Sequence, residues 1–153
     1  MAQGDMALFN KFVENMCDNL MDLSDDSFSF GLIDNVTTPA ATDTDPRWAA
    51  TGTPDYSARE TTGGLYTAPV NVSTTITDNW SISGSVAKFD VDDVSITQNG
   101  SNPSNARWAI LFDNTPANKY CVGWLDLGAV VDLSAGDFTV TWNAGGVFDI
   151  TNP

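Results

Sequence analysis

The alternation in "DFTVTWN", residues 137–143, constrains this chain more than any other feature. Phe138, Val140 and Trp142 occupy one phase, and Asp137, Thr139 and Thr141 the other. Side chains switch face at every residue of an extended chain, so this pattern buries one side of a strand and wets the other. A helix cannot use it, because a helical stripe returns every three or four residues. The same phase recurs in Val70, Val72 and Ile76, then in Trp80, Ile82 and Val86. In "AKFDVDDVSITQ", Phe89 and Val91 hold one phase while Val94 and Ile96 hold the other. A one-residue change at Asp92-Asp93 predicts a bulge or tight turn there.

In "ARWAILFD", Trp108, Ile110 and Phe112 share one face, yet Ala109 and Leu111 fill the other. That strand is expected to be covered on both sides. A loop over 113–119 returns the chain through Tyr120 to Leu127, and a Gly145-Gly146 turn leads into Val147, Phe148 and Ile150. Upstream, "SFSFGLIDN" alternates Phe28, Phe30 and Leu32 with small residues, which predicts a strand within 27–34. Short strands separated by turn residues, after a single helix, predict a mainly β fold: an antiparallel, jelly-roll-like β-sandwich with one N-terminal α-helix. Its expected core includes Phe89, Val91, Trp108, Ile110, Phe112, Trp124, Phe138, Val140 and Trp142.

The helix is expected over 5–23. Met6, Phe9, Phe12 or Val13, Met16, Leu20 and Leu23 recur at helical steps, Asp5 suits the N-cap, and Lys11, Glu14, Asn15 and Asp18 lie opposite. Such a helix either packs on the domain's own sheet or serves as an oligomer arm. All four methionines, Met1, Met6, Met16 and Met21, sit in this first segment, and methionine makes adaptable interfaces. From 36 to 64 the periodicity dissolves into Thr, Pro, Ala, Asp and Gly. Trp48 and Tyr56 are costly to leave in water, so this stretch reads as an ordered surface excursion anchored by two rings.

The 153 residues fit one domain, 1–153, with sandwich strands over 65–153. Twenty acids against six bases give a net charge of −14, which repels phosphate backbones and anionic membrane surfaces. Neither nucleic acid nor membrane is an expected partner. Cys17 and Cys121 read as two small buried hydrophobes. With no histidine, the chain lacks the base of serine and cysteine nucleophile systems and the usual ligands of catalytic zinc. Glu14 and Glu60 are the only glutamates, so a glycosidase would have to rely on aspartates. Asp43 with Asp45, and Asp90 with Asp92 and Asp93, have a spacing that calcium uses, but neither continues as a twelve-residue binding loop. No cofactor, no metal and no enzymatic activity are expected.

"FDVDDVSI" followed by "ARWAILFDNTPANKYCVGWLDLGAVVDLSAGDFTVTWNAGGVFDIT" resembles a family of small virion proteins of tailed bacteriophages. The segment "RETTGGLYTA", with Glu60, Gly64 and Tyr66, and the lead-in "NKFVENMCDNL" are similar to that family as well. The likeness is strongest over 89–151. It implies a capsid decoration or cement protein, located in the virion, that bridges copies of the major capsid protein. It also implies a homo-oligomer, a trimer first and a dimer second. Related proteins are tail-associated, so a tail or fibre module binding the host surface is the alternative, and a virion-associated hydrolase is a third class. Phe9, Phe12, Met16, Trp48 and Tyr56 are the expected interface anchors, as apolar side chains beyond what one sandwich core needs.

Overall fold

A computed structural model of the chain describes residues 6–73, 79–142 and 145–151. Asp5 and Ile76, expected as a cap and a strand residue, lie outside them. The elements are β1 (Met6–Leu8), α1 (Asn10–Cys17), β2 (Phe28–Ile33), β3 (Val70–Asn71), β4 (Trp80–Ser83), β5 (Val86–Phe89), β6 (Val94–Ile96), β7 (Ala106–Asp113), β8 (Cys121–Val131), β9 (Phe138–Val140) and β10 (Phe148–Thr151). They form a mainly β, sandwich-like fold of antiparallel sheets with one α-helix. The largest sheet has the order β1-β8-β7-β2-β3, and two smaller ones have the orders β10-β5-β4 and β6-β9.

Register decides which side chains share a face. Ser29, Gly31 and Ile33 stand opposite Phe112, Ile110 and Trp108, and Ile110 stands opposite Trp124. Cross-strand partners point the same way, so these residues make one side of the large sheet, while Phe28, Phe30, Leu32, Ala109 and Leu111 make the other. The excursion covers the first side. Trp48 stacks on Phe112 with ring centroids 4.8 Å apart, and its indole fills the space over Gly31, where a Cβ would collide with it. Phe9 packs 4.7 Å from Trp124 and 5.8 Å from Tyr56 on that side.

The smaller sheets cover the second side. Phe28 meets Phe89 of β5 edge-on at 5.0 Å, and Phe30 meets Trp142, just beyond β9, at 6.5 Å. Ala109, Ile110, Leu111 and Phe112 are each 0% exposed as a result, so β7 is covered on both faces. The phase change at Asp92-Asp93 proves to be neither a bulge nor a tight turn within one sheet. It is the crossing from β5 to β6, which belong to different sheets, and the crossing is held by bonds from the Asp90 and Asp92 amides to the Asn79 and Val72 carbonyls.

The helix is shorter than the apolar spacing predicts. Met6 to Leu8 form an edge strand paired with Leu125 to Gly123, because that ladder satisfies backbone groups a helix start would leave open. Phe9 is the extended N-cap and makes no side-chain cap bond. The far end is set by Asn19, with φ 55°, after which the Leu20 amide bonds the Asn15 carbonyl. Asparagine tolerates that left-handed position, so the helix stops at Cys17 and not at Leu23. Cys121 is buried as expected, but Cys17 is exposed. Trp108, Val140 and Trp142 are partly buried against the core cluster and not inside it.

Candidate functional site

The expected anchors serve the subunit itself. Phe9, Phe12, Trp48 and Tyr56 are 0%, 1%, 3% and 0% exposed, so none offers a free ring to a partner. Phe12 reaches Phe148 edge-on at 5.6 Å. The Tyr56 hydroxyl donates to Asp43 at 2.5 Å, and burial together with that carboxylate holds the phenol far above its ordinary pKa. Met16 alone of the five stays half-buried, packed against the core. The physical reason is the large sheet's first face: without these rings, Phe112 and Trp124 would face water.

An apolar surface lies elsewhere, on the β10-β5-β4 sheet. Trp80, Phe89 and Phe148 form one cross-strand row, and two residues further along each strand Ile82, Ala87 and Ile150 form the next. Both rows point the same way. The inner row packs into the molecule, with Phe89 fully buried and stacked 5.0 Å from Phe148. The outer row overhangs the core: Ile82 is 73% and Ile150 53% exposed, with the partly buried Ala87 between them. The hairpin turn at Gly84, with φ 63°, carries the row beyond the packed layers. Alternation alone cannot reveal this overhang. The available hint was "SISGS", two serines beside Ile82 with a glycine turn next to them.

The chain as a whole is acidic, with 20 acids against six bases. Five of the six bases are engaged by acids of the same chain: Lys11 with Glu14, Arg47 with Asp45, Arg59 with Asp34, Lys88 with Asp90 and Arg107 with Asp126. The aspartates considered for calcium are committed too. Asp43 accepts from Tyr56 and from the Ala40 amide, Asp90 from Lys88, and Asp93 from the Trp142 amide. Among the described residues no group of three or more acids or cysteines is gathered as a metal site, and no helix is long and apolar enough to cross a membrane.

Two carboxyls, one buried and one half-buried, stand apart. Asp113 is 0% exposed, and its Oδ2 finds no hydrogen-bond donor among the described residues. Burial first, and then Asp26 beside it, push its pKa up to about 8. Two ionised carboxylates cannot bond to each other, but a protonated Asp113 can donate toward Asp26. Glu60, of the segment RETTGGLYTA, is half-buried beside Ile33, and burial raises its pKa. Tyr66 of the same segment accepts the Leu32 amide at 2.8 Å, so the motif is built into the sheet's edge.

No protein-family model, curated protein or solved structure matches the chain.

Proposed function

We propose that this protein is a structural subunit of a tailed-phage virion: a capsid decoration or cement protein that docks on assembled major capsid protein and bridges neighbouring copies. The observation that carries the reading is the overhanging Ile82–Ala87–Ile150 row, an apolar strip on a firmly packed acidic body. Exposed apolar rows rimmed by polar residues serve as contact surfaces. With five of six bases already paired to its own acids, the body favours a basic partner surface and keeps free subunits apart until they reach one. Binding to the lattice and not to its separated parts stabilises the shell by mass action. A homotrimer around a local symmetry axis would present three such rows at once.

Particles lacking the protein should release DNA at a lower temperature on heating, and adding it back should restore the difference. Ile82→Asp with Ile150→Asp should fold and yet fail to restore it. Full restoration by that double variant, or binding to tails with none to heads, would sink the reading.

A further inference from the structure

We infer that residues 20–27, between α1 and β2, form a proton-held strap: they stay closed on the β7–β8 hairpin while Asp113 is protonated and lift away when it ionises. The inference is independent of the capsid reading.

The strap has a hinge and an anchor. The hinge is Asn19, whose φ of 55° is the left-handed position that ends the helix. The anchor is Met21, 6% exposed and the strap's one buried side chain. Two bonds cross to the hairpin: the Ser27 amide donates to Thr115 Oγ1 at 2.6 Å, and the Asn114 amide donates to the Ser27 carbonyl at 2.7 Å. Within the strap the Asp22 amide donates to Asp26 Oδ2 at 2.7 Å, and the Asp26 amide returns a bond to the Asp22 carbonyl at 3.0 Å. Asp26 is thereby held in place.

The latch is the pair Asp26 and Asp113. Asp113 ends β7 opposite Phe28, which sets its carboxyl against Asp26. Its Oδ1 accepts the Thr115 amide at 2.9 Å, and its Oδ2 finds no donor among the described residues. From the strap Asp113 faces Asp26, from β2 the uncharged Phe28, and from its own hairpin Thr115. No basic side chain among the described residues bears on it, and the strap, with Asp22, Asp25 and Asp26, carries no base that could re-bind it once ionised. Two facing carboxylates hold together only by sharing a proton. Asp26 also borders a cleft of about 240 Å3 that Thr115 and Pro116 line from the other side, which gives that proton a way out.

In the open form Asp113 meets water and returns to the ordinary carboxyl range, so the closed form binds one proton more. Opening therefore rises with pH, by up to about tenfold per unit, and levels off above the folded pKa of about 8.

The test is amide hydrogen exchange on the full chain labelled with 15N, followed across this range and corrected for base catalysis. The amides of Asp22, Asp26 and Ser27 should exchange faster than those of Ile110 and Leu111, because the strap opens without the core. Their corrected rates should climb with pH and then level off. Asp113→Asn should remove the climb and leave the strap amides faster than the core. Asp26→Asn, whose side chain can donate to an ionised Asp113, should weaken it. Strap amides that exchange only at the rate of Ile110, corrected rates that do not change with pH, or a climb that persists unchanged in either variant would each overturn the inference.

Discussion

Trp48 lies flat on Phe112, the two ring planes only 3° from parallel. That stack fixes a long aperiodic excursion to the central strand β7, and Gly31 on the neighbouring strand leaves the room for it. One face of the large sheet is sealed by a loop as a result, and not by a further sheet.

Trp48→Ala is therefore expected to cost about 3–5 kcal/mol, as for other large buried aromatics. Urea unfolding measures the loss. Gly31→Ala should also destabilise the wild type, because its methyl would meet the indole, but should cost little in the Trp48→Ala background. A double-mutant cycle with no coupling between the two positions would contradict the packing described.

Stability should fall as pH rises from about 4 to about 8. Asp113 has a folded pKa of about 8 against about 3.9 in an unfolded chain. The folded state thus binds this proton more tightly, and its contribution, complete below the unfolded value, is lost as pH passes through the folded one. Glu60 acts in the same direction. Asp113→Asn keeps an acceptor for the Thr115 amide, 2.9 Å away, and provides donors toward Asp26. Its melting temperature should exceed that of wild type at pH 8 and change less with pH. A wild-type melting temperature that rises over this range would refute the assignment.

Trp142→Ala should cost about 2–3 kcal/mol, less than a fully buried tryptophan. Its ring is only partly buried, but it packs on Phe30 and its indole N–H donates to the Asp92 carbonyl at 3.0 Å. A loss under about 1 kcal/mol would mean that the β6-β9 sheet adds little to the second face.

Ile82→Ser should change stability by no more than about 0.5 kcal/mol, as an exposed substitution away from caps and cores. A larger loss would show that the outer row is packed within the subunit in solution.

Millimolar calcium, or its chelation, should leave the melting temperature unchanged, because the carboxylates of Asp43, Asp90 and Asp93 already accept hydrogen bonds from named groups. A rise of several degrees, reversed by chelator, would point to the segment around Asp90 as a cation site.

The strands were legible because alternation is local: Phe28, Phe30 and Leu32 specify their shared face without reference to anything distant. What covers each face was not. Trp48 and Tyr56 look alike in sequence whether they face a partner or their own sheet, and the decision rests with Phe112 and Trp124, far along the chain. Met6 to Leu8 fit a helical stripe equally well, and only the free edge of β8 draws them into a ladder. The candidate contact row has the same origin. Ile82 and Ile150 carry the same alternation as residues that pack inward, and their exposure follows from where the sheet outruns the layer beneath it. Asn15 falls on the polar side of the expected helix, but the helix stops early and Asn15 is buried.

The strand order β1-β8-β7-β2-β3 also sets a timetable for synthesis. Strand β1 is synthesised well before the partner it pairs with, since Met6 pairs with Leu125. Until that later segment emerges, Phe9 lacks Trp124 and Phe12 lacks Phe148, so this earlier segment travels with both rings uncovered. Contacts so distant in sequence make closure slow, and an uncovered nascent segment invites aggregation or a chaperone. The order that seals the finished subunit also makes β1 wait for β8 before it finds its place.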